Sequence, residues 1–261
     1  MILVILAGGL GSRFGAAKQI EGIDKNNNFI LDYSIYDAIK SGFDKVVVIV
    51  KPEHKHIFEN TLAKRLGNKI KVEFAEQTTD EKLLEKFNIK REKPLGTAHA
   101  LLCAEKFVDD NFCIVNADDF YGRNSFKVAG EFLKTAEKST TNYALVGFEL
   151  CNTLSETGSV KRGVCETESG FVNKITECKV SRDNGKISAC NLETDEIVLV
   201  EDKTPTSMNM FCLTPKFFEF LNLEYEKFIS EKENGAFPQA MRNALYFIVP
   251  SSFSISYVSG W

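Results

Sequence analysis

Residues 2–6, ILVIL, and 45–50, KVVVIV, are short runs in which β-favouring apolar side chains follow one another almost without a polar break. A strand with one wet face alternates apolar and polar residues. An unbroken run marks a strand covered on both faces, which in turn calls for helices on each side of a sheet. Helical spacing is found where that demand places it. Residues 30–41, ILDYSIYDAIKS, set Ile30, Leu31, Ile35, Ala38 and Ile39 on one side, and Gly42 supplies a stop. Pro52 opens a second helix that runs to about residue 66. A third strand follows at Val72–Phe74, a charged excursion at 78–92, and a helix at Thr97–Phe107. The fourth strand is Phe112–Asn116, FCIVN, then come a helix near 124–137 and a strand from Tyr143 to Leu150.

This rhythm predicts an α/β fold with a doubly wound, mostly parallel sheet. From about residue 158 it changes. GSVKRGVCETESGFVNKITECKV has turn residues and short alternating strands, so the second half is expected to carry an antiparallel elaboration. Residues 215–231, PKFFEFLNLEYEKFISE, return to helical spacing, and SISYV near the end is strand-like. With no repeat and no Pro/Ser-rich linker, residues 1–261 read as a single domain.

Charge and cysteine usage narrow the function classes. A net charge of −4 and a pI near 5.6 argue against a nucleic-acid partner, which requires a basic field, but not against a nucleotide. The seven cysteines include no CxxC, and His54, His56 and His99 share no zinc-site spacing with them; scattered thiols suggest a reducing compartment. The apolar start, MILVIL, lacks a basic leader and is too short for a signal or a span, so the expected location is the cytoplasm, with no membrane partner.

The first strand runs into ILAGGLGSRFGAAKQ, with four glycines, one arginine and one lysine. In an open parallel sheet, ligands bind beyond the carboxyl ends of the strands. Gly8, Gly9 and Gly11 remove Cβ atoms there, so that backbone N–H groups can approach phosphate oxygens, and Arg13 and Lys18 add positive charge at that place. The bland alternative is a tight turn with exposed basic residues. A P-loop would need GxxxxGK[ST], and no lysine follows a glycine in that register. A dinucleotide fingerprint needs a third glycine where Phe14 stands, which speaks against a nicotinamide-dependent oxidoreductase.

The run Leu6-Ala7-Gly8-Gly9-x-Gly11-Ser12-Arg13-Phe14, followed by Lys18, resembles the signature of the sugar-phosphate nucleotidylyltransferases, or nucleotide-sugar pyrophosphorylases. That signature commonly reads GGxGTRLxPLTxxxPK; here its middle is shortened to Gly15-Ala16-Ala17, a compact form also similar to the molybdopterin guanylyltransferase type. The resemblance implies a Rossmann-like nucleotidyltransferase fold. Leu6, Ala7, Gly8, Gly9, Gly11 and Ser12 would bind nucleotide, and Arg13 and Lys18 would be catalytic. Two later stretches match in the same order. Lys93-Pro94-Leu95-Gly96-Thr97-Ala98-His99-Ala100 is similar to the family's PxGTAxA segment, which implies that Pro94, Gly96 and Thr97 meet the base, with Gln77 as the upstream glutamine that helps read it. Read from its residues alone, it is a loop with Thr97 as N-cap and His99 packed in the helix. Val115-Asn116-Ala117-Asp118-Asp119 ends an apolar strand in two carboxylates. Either could merely cap the next helix; the resemblance makes Asp118 the Mg²⁺ ligand, with Asp119 as second choice.

The resemblance is looser after residue 158. It implies a nucleotide-binding half at 1–150 and a sugar-binding half at 151–261. Glu177 would contact sugar hydroxyls, and Asn116 and Asn209 would also lie on the sugar-phosphate side. The family's lysine directly after that glutamate is replaced by Cys178, leaving Lys179 or Lys174 to meet the phosphate; a hairpin with surface charge is the alternative for each. Family members carry a second metal aspartate just after a tryptophan-bearing strand. SISYV and Trp261 match such a strand, so the expectation is a C-terminally truncated chain, an incomplete metal site, or a substitute residue. The implied partners are an NTP and a sugar-1-phosphate, with Mg²⁺ as cofactor; the assembly is open, with the elaboration after residue 158 as a surface that could serve a homo-oligomer. A nucleotide- or nucleotide-sugar-binding relative without catalysis is the alternative from another class.

If Arg13 neutralises phosphate charge, Arg13→Ala lowers turnover by about a hundredfold or more with an unchanged melting temperature. Steady-state kinetics beside a thermal melt check this; a large fall in melting temperature would instead mark Arg13 as structural.

Overall fold

The computed structural model describes residues 1–8, 22–78, 96–155, 158–231 and 253–258, with 228–231 and 253–258 described by backbone alone. Its first strand, β1 (Ile2–Leu6), lies between β2 (Lys45–Val50) and β4 (Phe112–Asn116), and β3 (Lys71–Glu76) pairs with β2; all three pairings are parallel. Side chains of β1 alternate between two apolar layers. Leu3, Ile5 and Ala7 enter one, and Ile2 and Val4 the other, all buried. That is why no polar break interrupts the run.

The first layer is closed by α1 (Ile30–Lys40), α2 (Pro52–Phe58) and α4 (Arg123–Thr135), which contribute Leu31, Ile35 and Ala38, then Phe58, then Phe126, Ala129 and Leu133. Helix α2 continues through a π-helical stretch, Glu59–Ala63, into Lys64–Leu66, as the single predicted helix to about 66. The second layer is closed by α3 (Thr97–Ala104) and α5 (Phe217–Glu231) through Ala98, Leu101, Ala104, Phe217, Phe218 and Leu221. Full burial of each large apolar side chain stabilises by about 1.5–3 kcal/mol, so the two layers are the main cohesive term. Among the described residues, no helix is long and apolar enough to cross a membrane.

The second half differs from its prediction in two ways. The expected short strands are a long hairpin, β6 (Ser159–Glu168) with β7 (Phe171–Asp183), continued by β8 (Lys186–Asn191) and β9 (Ile197–Val198). The antiparallel part also does not sit outside the parallel sheet. Strand β10 (Pro205–Leu213) runs antiparallel between β4 and β5 (Tyr143–Glu149), inside the core. Its sequence, PTSMNMFCL, neither alternates nor runs unbroken, so no strand was predicted there. The last strand, β11 (Phe253–Val258), is parallel to β5.

Asn111 joins the start of β4 to the end of α4. Its buried side-chain amide donates to the carbonyls of Leu133 (3.0 Å) and Ala136 (2.6 Å), at the last turn of α4. Asn111→Ala leaves both acceptors without that donor and should cost about 1–3 kcal/mol. Urea unfolding measures this; an unchanged midpoint would show that the amide adds nothing.

Candidate functional site

Because β1 to β4 are parallel, their carboxyl ends meet at one edge of the sheet. Backbone bonds carry this alignment past the strands. The N–H of Ala7 donates to Ile49 (2.8 Å), that of Gln77 to Val50 (2.8 Å), and that of Ala117 to Leu6 (3.2 Å). Leu6 and Asn116 are direct partners in the ladder. Leu6, Ala7, Gly8, Gln77, Asn116 and Asp118 therefore stand at a common edge.

Gln77 makes the first junction there. Its side-chain amide is buried and donates to the carbonyl of Gly96 (3.2 Å). A Cβ on Gly8 would collide with Gln77 Oε1, so any larger residue there would displace the Gln77 side chain from its present position. Gly96 has φ 108°, a conformation that L side chains rarely adopt, and its carbonyl also accepts from Ala100 N–H (3.1 Å). Gly8, expected at the phosphates, and Gly96, expected at the base, are thus joined through Gln77, the glutamine expected to help read the base. The predicted cap is corrected: Gly96 is the N-cap of α3 and Thr97 is its first helical residue, because only glycine tolerates the entry angle. His99 is packed. Its ring lies 5.8 Å from that of Tyr225, and burial lowers its pKa below the usual histidine value.

The second junction is the turn after β4. Asp118 is exposed, whereas Asp119 is half-buried and accepts a hydrogen bond from Asn116 Nδ2 (2.7 Å). Neighbouring Phe120 packs edge-on against Tyr33 (6.2 Å). Tyr121 is fully buried. Its hydroxyl accepts from the Asn116 N–H (2.9 Å) and donates to the Met208 carbonyl on β10 (2.8 Å). Burial, and then the charge of Asp119, push that hydroxyl well above the ordinary tyrosine range, so it stays protonated.

Strand β10 changes neighbours at this level. Phe211–Leu213 pair with β4, whereas Thr206 and Ser207 pair with β6. Between them Met208–Met210 form a bulge against β5, with Asn209 at φ 63° and its N–H donating to Ser207 Oγ (3.2 Å). A crevice where strands part in this way is the usual ligand position in α/β sheets. Across it, Ser207 is level with Gly163 and Gly163 with Glu177, roughly 10 Å from β10 by strand spacing. Lys179 lies on the same face of β7 as Glu177 and is exposed. Its direct partner on β6 is Lys161, also exposed. Like charges opposite one another repel, which an anion between them would relieve. Lys174, the other candidate, is paired with Glu166 (3.4 Å).

Gly9, Gly11, Ser12, Arg13, Lys18, Pro94 and Trp261 lie outside the described residues, as does nearly all of the 78–92 excursion. Sequence reasoning missed Tyr121 and Lys161. The Tyr121 bridge spans 87 residues, and the Lys161–Lys179 pair exists only in the strand register, so no local pattern marks either.

Asp118 and Asp119 are hard oxygen donors. Among the described residues, no group of three or more His, Cys, Asp or Glu could hold a metal ion. Two carboxylates on one turn are the hard donor type that Mg²⁺ takes, an ion that completes its shell with water and phosphate oxygens.

Comparison with known proteins agrees with this architecture. A family model described as nucleotidyl transferase matches residues 2–245. A UTP–glucose-1-phosphate uridylyltransferase of Bacillus subtilis is 26% identical over 129 residues, 44% of this chain and 43% of that protein. The chain thus spans less than half the length of that curated relative. In three dimensions, a Bacillus anthracis protein assigned as a glucose-1-phosphate thymidylyltransferase, solved with sucrose, superposes with TM-score 0.61 at 15% identity, covering 100% of this chain and 88% of the other. The inositol-1-phosphate CTP transferase of T. maritima gives 0.59 at 14%, covering 98% and 84%. These structural likenesses establish the Rossmann-like fold.

Gly8→Ala should cost about 1–3 kcal/mol, because Gln77 must leave its bond to Gly96. In a Gln77→Ala background the same change should cost almost nothing, since the colliding atom is gone. Urea midpoints of the single and double variants measure the coupling; additive losses would show that Gln77 does not impose the glycine.

Proposed function

This chain belongs to the nucleotidyl transferase family, and from that premise we propose that it transfers a nucleoside monophosphate from an NTP to a sugar-1-phosphate, giving a nucleotide-sugar and pyrophosphate. The observation that carries this reading is the shared edge, where the Gly8–Gln77–Gly96 contact and the Asp118–Asp119 turn flank the end of the glycine-bearing strand. The relatives' names support a phosphate monoester as acceptor and differ in the base.

In this proposal an oxygen of the sugar-1-phosphate attacks the α-phosphorus in line and stays bound to it, the bond from the α-phosphorus to the α–β bridging oxygen breaks, and pyrophosphate leaves with the bridging oxygen. The second pKa of a phosphate monoester is about 6, so near neutral pH the attacking oxygen is already ionised and no general base is needed. The chain's contribution is then position and charge. Gln77 and the Gly96 backbone orient the base. Arg13 and Lys18 stabilise the leaving pyrophosphate. Asn116, Asn209 and Glu177 hold the sugar side, and Lys179, with Lys161 opposite it, meets the sugar phosphate. Asp118, with Asp119, would hold Mg²⁺, which when bound neutralises phosphate charge. Asp119 is partly engaged by Asn116, which favours Asp118 as the main ligand.

Pyrophosphate release, measured with each of the common NTPs against a panel of sugar-1-phosphates with and without Mg²⁺, tests the reaction. One productive pair is expected. Nucleotide binding without release would support the non-catalytic alternative. Asp118→Asn should abolish the Mg²⁺-dependent turnover while leaving the melting temperature within about 2 °C, since an exposed carboxylate adds little to stability; full retained activity would remove Asp118 from the metal site.

A further inference from the structure

The β4–β10 ladder ends before its register does. Phe112, Cys113 and Ile114 face Leu213, Cys212 and Phe211, and two steps further the same register would set Asn116 against Asn209. Residues of β4 point their backbone groups alternately to β1 and to β10. Ala117 N–H faces β1, donating to Leu6, so Asn116 N–H faces β10. A continuing ladder would close it directly onto a carbonyl of β10. Here it meets the hydroxyl of Tyr121 (2.9 Å), which itself donates to Met208 (2.8 Å). Two hydrogen bonds in series stand where a closed ladder has one.

We propose that the Tyr121 hydroxyl is a spacer that holds β4 and β10 apart at the sheet edge and so sets the separation of Asn116 and Asn209. In the reaction read above, on which this inference rests, both asparagines serve the sugar phosphate. Tyr121 is thus a positioning residue acting through two backbone segments. It is well placed to be rigid. Its ring is fully buried, 6.3 Å from Phe126 and 6.0 Å from Phe148, and its carbonyl accepts from Ser125 Oγ (2.5 Å). The spacer also explains the bulge: with β4 held off, Met208–Met210 cannot keep the register of both neighbours, and Asn209 takes a left-handed conformation. Removing the oxygen would leave the Asn116 N–H and the Met208 C=O without this partner, or let the strands close. Either outcome releases the Met208 carbonyl beside Asn209, and neither touches the Gly8–Gln77–Gly96 contact.

Tyr121→Phe tests this, since it keeps the ring and deletes the oxygen. The KM for sugar-1-phosphate should rise about tenfold or more while the KM for NTP stays within about twofold. An unchanged sugar-side KM, or an equal rise in both, would overturn the proposal. Amide hydrogen exchange gives a readout that does not need catalysis. In the wild-type protein, Asn116 N–H should be protected like Ile114 N–H, and in the variant it should exchange about tenfold faster or more. If wild-type Asn116 exchanges like an open turn, the spacer is absent whether or not the variant folds. If no NTP and sugar-1-phosphate pair turns over, the catalytic reading fails, and the exchange rates alone still decide the spacer.

Discussion

The parallel pairing of β1 with both β2 and β4 is the constraint from which the site follows. A buried strand must satisfy its backbone polar groups on both sides, and parallel ladders do this only if the strand ends lie side by side. One consequence is that Ala7, Gln77 and Ala117 emerge level with one another, although they are distant in sequence. Register also decides which face each side chain takes. A one-residue slip would move Ile2 and Val4 into the layer now holding Leu3 and Ile5, so the alignment at the edge is enforced by both apolar layers.

The second constraint works in the opposite direction. Strand β10 enters the core antiparallel, pairs with β4 for three residues, and then turns to β6. A sheet that closed fully here would have no room for a ligand. It stays open because a tyrosine hydroxyl is inserted between the strands and three residues of β10 bulge outward. Stability and function are thus separated in space. The continuous ladders and apolar layers hold the fold, and the interrupted ladder provides the proposed sugar side.

Much of the first half was legible because its signals are local. Unbroken apolar runs and helical spacing predicted β1, β2, β4, α1 and α4 to within a residue or two. The Gly8, Gln77 and Gly96 roles were implied by resemblance, and the structure adds a physical reason for the two glycines themselves, a collision at Gly8 and a left-handed φ at Gly96. Strand β10 was not legible. Pro205, Thr206, Ser207 and Asn209 weaken any strand pattern, and its burial comes from neighbours far away in sequence. Tyr121 gave no signal, because a hydroxyl that bridges two strands leaves no trace in spacing. Lys179 gained a partner of like charge only when β6 was laid beside it. Tertiary register, rather than propensity, decided each of these.

In the proposed reaction, nucleotide and sugar phosphate meet at this one edge. The most direct measurement is a crystal structure of the protein with Mg²⁺, a non-hydrolysable NTP and sugar-1-phosphate. The base is expected against Gln77 and Gly96, the triphosphate beside Asp118, and the sugar in the crevice between Asn116 and Asn209. A nucleotide bound elsewhere, or a sugar phosphate lodged away from that crevice, would contradict it.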